Sequence, residues 1–352
     1  MDLELTDEQA WLSESLSTLL DREWPAAEAA HEAGRDERDR LWRALVEFGV
    51  LGVDEDEGLG AVELCLVARA LGSHLASVPF LGSAAMRYAA GPRSDLGEDR
   101  VSVALLEPGR GWSVDETRTA VGLTGLDGRK VAVEHAAEVE RLAVVTAAGG
   151  SPGLAFTAAD APGVEIEPQE SLDVGVPMHA VTFSGAAVDG ELAAGVVTRL
   201  TAIGALLAAA ESVGAASRML EDAAAYAGER RQFGRTIGSY QALRHLLADM
   251  YVRQASAWST VLYAAAALDD DLPEALQTAA VAKAYVARAA REVAHGALQV
   301  FGGIAFTQEH QAHRFLRRVV VREQQFGDAA HHERELGRAL ARSGSPVPIA
   351  VS

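Results

Sequence analysis

The chain has 352 residues, 49% of them hydrophobic and 23% charged, with a formal net charge of −19 at pH 7. That length implies two or three domains and a large core. So negative a chain is excluded as a general nucleic-acid binder, which leaves small molecules or other proteins as partners.

The acidic start MDLELTDEQ carries no secretory signal, and Thr6-Asp7-Glu8-Gln9 predicts a capped helix whose apolar face is Trp11, Leu12, Leu16, Leu19 and Leu20. Leu41, Trp42, Leu45, Val46 and Phe48 predict a second helix ending at Gly49, followed by a glycine-punctuated acidic loop over 50–60. A third helix is expected over 62–75 and a short one over 84–90, separated by Val78-Pro79-Phe80. The lone Cys65 forbids an internal disulfide, sits in the apolar run ELCLVARAL as a packing residue, and fits a reducing cytoplasm.

Between about 94 and 190 the texture changes to short β-branched runs (VSVALL, KVAVE, LAVVTA, VEIEP) spaced by Gly, Pro and Asp, as in a small antiparallel β-domain. From 191 the chain is helical and Ala-rich, with helices expected over 198–230, 239–268, 272–298 and 308–342, a solvated turn at Asp269-Asp270-Asp271, and the packing of an antiparallel four-helix bundle. The expected division is a helical domain over 1–93, a β-barrel or sandwich over 94–190 and the bundle over 191–352, an α+β multidomain chain. No apolar run is read as long enough to span a membrane.

Between the first two bundle helices lies Glu229-Arg230-Arg231-Gln232-Phe233-Gly234-Arg235, where Gly234 and Gly238 permit a turn and Ser239 is the expected N-cap. Three guanidiniums beside an aromatic ring can hold a phosphate by charge-assisted hydrogen bonds. The same residues also suit a solvated basic corner paired with Glu229. The arginines 314, 317, 318 and 322 share one broad helical face, suited to solvent, a phosphate or another subunit's carboxylates. His331 and His332 are adjacent, about 100° apart on a helix, and cannot chelate one ion together, so no metal site is expected.

ERRQFG followed by Gln241 and LADM resembles the C-terminal-domain signature of the acyl-CoA dehydrogenases, and ALQVFGGIAF over 297–306 resembles the same family's Gln-x-x-Gly-Gly element. The order "LWRALVEFGVLG, acidic loop, helix, VPFL" also resembles its N-terminal helical domain. The resemblance covers nearly the whole chain and implies flavin-dependent α,β-dehydrogenation of an acyl-CoA thioester. FAD would be the cofactor, an electron-transfer flavoprotein or similar protein the acceptor, and a carboxylate the base that removes the α-proton.

The resemblance then divides. The residues that a subunit lends to its neighbour's flavin are present: Arg230, Gln232 and Phe233, with Gln299, Gly302 and Gly303. Those that cradle its own flavin are not. Leu106 stands for a threonine, Ala132 for a tryptophan, and Glu134 for a second hydroxyl residue. Phe326 occupies the usual place of the base, and the family's alternative place falls on Gly204, so no catalytic residue is identified; Asp328 is a weak candidate for a displaced base, with Glu323 beside it.

The expectation is a base-less subunit of a cytoplasmic heterotetramer, sharing FAD with a complete acyl-CoA dehydrogenase chain and acting on a bulky, steroid-like acyl-CoA. Room for that bulk is expected at Ala132. The alternatives are a self-sufficient homo-oligomer with a displaced base, and a non-redox scaffold or thioester binder of the same fold.

Overall fold

The computed structural model describes residues 4–26, 30–52, 59–91, 96–148, 151–192 and 194–343. The acidic stretch over 53–58, the expected boundary at 93–94 and the tail beyond 343 lie outside them.

Four helices open the chain: α1 (Asp7–Glu23), α2 (Arg35–Glu47), α3 (Ala61–Ser73) and α4 (Phe80–Ala90). Thr6 caps α1 as expected, accepting from the Gln9 backbone while Gln9 reaches back to Thr6. Leu12, Leu16, Leu19 and Leu20 are buried, but Trp11 is 66% exposed and stacks on Phe48 at 6.4 Å. Pro79 begins α4 four residues earlier than the periodicity predicts, since a proline that ends one helix also suits the start of the next.

Among the described residues the middle region holds eight strands: β1 (Val101–Ala104), β2 (Ala120–Gly122), β3 (Gly125–Glu134), β4 (Arg141–Ala148), β5 (Ser151–Ala158), β6 (Val164–Gln169), β7 (Met178–Ala186) and β8 (Gly190–Leu192). They form two four-stranded sheets, ordered β1-β4-β5-β8 and β2-β3-β7-β6. Pairing is antiparallel except between β1 and β4, which run parallel. Ala104, Leu126, Val133, Val144, Val181 and Phe183 form the separate core of this region.

The C-terminal region is built on α5 (Ala194–Glu229). A two-residue hairpin follows, β9 (Arg231–Gln232) and β10 (Arg235–Thr236), then α6 (Gln241–Asp269), α7 (Ala275–Phe301), α8 (Ala312–Gln324) and α9 (Ala329–Ser343). The single helix expected over 308–342 is thus two, broken where Phe326 and Gly327 take φ values of 54° and 100°. Helix α5 is long and apolar enough to cross a bilayer, which corrects the reading of run lengths, but 72% of its most apolar window is buried against its own neighbours.

Helices α3 and α5 touch backbone to backbone. A Cβ at Gly214 would lie 1.9 Å from the Arg69 carbonyl oxygen, and one at Gly72 would lie 2.0 Å from that of Glu211. Neither carbonyl can rotate away as a side chain could. Gly214→Ala is therefore expected to lower stability by about 3 kcal/mol, read as a shift in the denaturant midpoint. Asp269 is no free turn residue: its carboxylate accepts from the backbone N–H of Ala61 (2.7 Å) and Val62 (3.2 Å), capping α3, and from the Tyr88 hydroxyl (3.0 Å).

Candidate functional site

The two signature blocks meet at one end of the bundle. Tyr226, in the last turn of α5, packs edge-on against Phe301 at the end of α7, ring centroids 5.4 Å apart. One helical turn beyond Tyr226 stands Arg230, and directly after Phe301 come Gly302 and Gly303. Arg230 ends the helix by hydrogen bonding, its N–H donating to Tyr226 O (2.9 Å) and its carbonyl accepting from Ile237 N (2.8 Å).

The corner projects from the body. Phe233 and Gly234 form the tight turn between β9 and β10 with φ values of 50° and 80°, unusual for an aromatic residue and costly outside a turn. Phe233 is 91% exposed, and Arg230, Gln232 and Gln299 are also exposed. The turn is braced by Arg235, 3.9 Å above the Tyr240 ring, and by the Tyr240 hydroxyl donating to Gln232 O. Ser239 does not cap α6; its hydroxyl donates to Thr236 O and Tyr240 takes the cap position. Gly302 has φ 67° and a Cβ at either Gly302 or Gly303 would meet open space, so both leave backbone accessible to a ligand. An exposed guanidinium and open backbone are groups able to contact a phosphate.

The other half of the expected site is arranged differently. Leu106, Ala132, Glu134 and Phe326 do line one cavity, with Leu105 and Trp112. Its volume is about 40 Å³, room for roughly three water molecules and too little for a three-ring flavin. Ala132, where room for a bulky group is expected, is exposed at the edge of this cavity. The Phe326 ring explains much of the small volume. It stands directly over Gly204, where a Cβ would come within 2.4 Å of it. The two places at which the resemblance locates a base are thus in contact, and neither bears an ionisable group. Gly204→Ala is expected to push the ring aside, at a cost of about 2 kcal/mol in denaturant unfolding.

Asp328 is not poised over this cavity. Its carboxylate accepts from His331 N at 2.7 Å, capping α9, and Glu323 is paired with Arg291. Among the described residues no cluster of His, Cys, Asp and Glu could hold a metal ion.

Glu134, in the place of a hydroxyl, is the anchor of a buried ionic network that sequence reasoning missed. Arg322 grips it with two hydrogen bonds, Nη1 to Oε2 at 2.7 Å and Nη2 to Oε1 at 2.9 Å, and Gln325 donates to it at 2.8 Å. The Nε of Arg322 lies 2.9 Å from Glu211. One turn earlier, Arg318 binds the same Glu211 (2.9 Å), Asp173, and the carbonyls of Leu75 and Ala76. Both arginines are 1% exposed, so this half of the expected solvated or intersubunit face points inward, while Arg314 and Arg317 remain half-buried. Burial alone would raise the Glu134 carboxyl, but the charge of Arg322, helped by hydrogen bonds, outweighs it and holds the group at about 2. Nearby Lys283 donates from Nζ to Arg322 O, and burial with the Arg322 charge depresses it to about 7.

Residues 194–341 match the family model described as "Acyl-CoA dehydrogenase, C-terminal domain". Over 343 residues the chain is 30% identical to the acyl-CoA dehydrogenase FadE27 of Mycobacterium tuberculosis, covering 86% of this chain and 88% of that one. It is 29% identical over 345 residues to the acyl-CoA dehydrogenase IpdE2 of Mycolicibacterium smegmatis, with 94% and 98% covered. Among solved structures it is similar to the ChsE4–ChsE5 complex from Mycobacterium tuberculosis, with a TM-score of 0.84, 27% identity, and coverage of 99% of this chain and 100% of that one. It is also similar to a variant of a steroid acyl-CoA dehydrogenase, Tcur3481–Tcur3483, with a TM-score of 0.86, 25% identity, and coverage of 96% and 98%.

Proposed function

The chain belongs to the acyl-CoA dehydrogenase family, and on that premise we propose that it works as the base-less subunit of an unlike-subunit enzyme, lending its arginine corner to the FAD of a complete partner. The observation that carries this reading is the contrast between the two half-sites. The chain's own ring cavity is about 40 Å³ and walled by Phe326, whereas Arg230, Phe233 and Gln299 stand exposed beside open backbone at Gly302 and Gly303.

In the assembled enzyme Arg230 and Phe233 would hold the pyrophosphate region, Arg230 through a charge-assisted hydrogen bond, and Gln299 and Gly303 would serve the adenosine part. FAD, when bound, accepts the hydride that leaves the β-carbon of the thioester. A phenyl ring takes no proton, so removal of the α-proton falls to a carboxylate of the partner. The capped Asp328 and the paired Glu323 favour this over a displaced base in the chain itself. Two of the similar structures bear paired names, one of them a steroid enzyme, which supports a bulky, steroid side-chain acyl-CoA as the substrate and a heterotetramer as the assembly. An electron-transfer flavoprotein or similar protein takes the electrons, in a reducing cytoplasm.

The test is purification of the chain alone and together with a longer acyl-CoA dehydrogenase encoded beside it. The expected result is a colourless, inactive chain alone and a yellow, active complex with one flavin per unlike pair. A yellow isolated chain that reduces an electron acceptor with an acyl-CoA would overturn the reading.

A further inference from the structure

The hairpin that carries Phe233 has no core of its own. Residues 229–235 are all exposed, and β9 and β10 pair at two positions, Arg231 with Thr236 and Gln232 with Arg235. So short a ribbon is not stable by itself. Its turn also asks for positive φ at both central residues, which Asn-Gly or Gly-Gly supplies without strain and an aromatic residue does not. Phe233 nevertheless holds φ 50°, a state that persists where the surroundings dictate it.

One side chain from outside the hairpin does much of this. Tyr240, at the N-cap of α6, reaches both strands. Its ring lies under the Arg235 guanidinium of β10, 3.9 Å away, and its hydroxyl donates to the Gln232 carbonyl of β9 at 3.3 Å. The base of the hairpin is fixed separately, by Ile237 N donating to Arg230 O at 2.8 Å and by Gly238, whose Cβ would come within 2.8 Å of the Ala227 carbonyl oxygen. The base sets where the hairpin leaves α5, and Tyr240 sets how the tip stands on it.

The residue type at 240 fits this role and not the local one. A helix N-cap favours Ser, Thr, Asn or Asp, whose side chains accept from the first turn. Tyr240 makes no such bond, and the neighbouring Ser239 hydroxyl is turned back to Thr236 O. Helix α6 therefore starts without a side-chain cap, while the ring that occupies the cap position braces the hairpin.

We propose, resting on the shared-flavin reading above, that Tyr240 is a positioning residue of that site. With Arg235 it holds Phe233 and the Gln232 backbone in the arrangement the cofactor meets, so that the tip is ordered before binding and its ordering does not weaken the affinity.

The test is Tyr240→Asn, which removes the brace and supplies a helix cap. In the assembled complex, flavin retention, followed by absorbance on dialysis, is expected to fall about tenfold, the combined loss of an exposed cation–ring contact and a hydrogen bond. The unfolding midpoint of the isolated chain is expected to hold or rise, because Asn caps α6. Tyr240→Phe keeps the ring under Arg235 and is expected to stay within about threefold of the parent in flavin retention. In the isolated chain, amide hydrogen exchange over 231–236 is expected to quicken about tenfold in Tyr240→Asn. Exchange unchanged in Tyr240→Asn, a flavin loss as large in Tyr240→Phe, or a flavin loss accompanied by a lowered unfolding midpoint would each overturn the proposal. Flavin retention unchanged in Tyr240→Asn but lost in Arg230→Ala would overturn the positioning role and leave the shared site standing; retention unchanged in both would overturn the shared site as well.

Discussion

Arg322→Ala is expected to destabilise the folded chain by about 3–5 kcal/mol, as for any buried ion pair stripped of one partner. The cost arises less from the lost attraction than from what stays behind. Glu211 would remain buried and Glu134 largely so, with Gln325 donating to Glu134 and Arg318 to Glu211. The network also joins three regions at one point: Leu75 and Ala76 from the helical domain, Glu134 and Asp173 from the β-region, and Glu211, Arg318 and Arg322 from the bundle. Removing both partners together, as Glu134→Gln with Arg322→Met, is expected to recover most of the loss, because no uncompensated charge is then left in the interior. Urea unfolding of the two single variants and the double variant measures the coupling directly. A loss below about 1 kcal/mol in Arg322→Ala would mean that water reaches Glu134 and that the network is not the junction described.

The same pair sets the response to acid. The Glu134 carboxyl is held at about 2 in the folded chain, below its ordinary 4.5. A carboxylate depressed on folding contributes stability that is complete above the ordinary value and is lost as pH falls through the folded one. Stability is therefore expected to drop between about pH 4.5 and 2, with Glu107 and Glu138, also held at about 2, contributing in the same window. Arg322→Ala removes the Glu134 share, so its stability relative to the parent chain should converge as the pH is lowered through that window.

The signals that local sequence carries well are periodicity, caps and turns, and these were sufficient for the helix–β–helix succession, for Thr6 as a cap and for the glycine turn after Phe233. The buried network was not legible for a physical reason. Residues Arg318 and Arg322 are one turn apart on an otherwise amphipathic helix, and a pattern rule assigns charge to solvent. Their partners Glu134, Asp173 and Glu211 lie on other elements more than a hundred residues away, where no spacing rule reaches. Asp269 was misread for the same reason, since the helix it caps begins at Ala61. The break after α8 was closer to readable: Gly327 in a helical pattern is a stop signal, and with Phe326 it takes positive φ. Glycine at 204 had a meaning only once Phe326 was seen resting on it.

Arg230→Ala, introduced into the assembled complex, is expected to weaken flavin retention by about 10- to 100-fold, the loss of one charge-assisted hydrogen bond to a phosphate. Arg230 suits this test because its side chain carries no internal duty: it is exposed, and the hydrogen bonds that end α5 come from its backbone. The fold should survive with an unchanged unfolding midpoint while the flavin absorbance per complex falls on dialysis. Arg230→Lys keeps the charge but not the planar fork and is expected to fall between the two. Phe233→Ser offers an independent handle, since a ring 91% exposed in the isolated chain contributes little to its stability there and gains a role only when covered. Flavin content unchanged in both Arg230→Ala and Phe233→Ser would place the cofactor elsewhere and remove the ground for a shared site. A loss of flavin with the unlike subunits still associated would separate cofactor binding from assembly, the distinction on which the division of labour between the two chains turns.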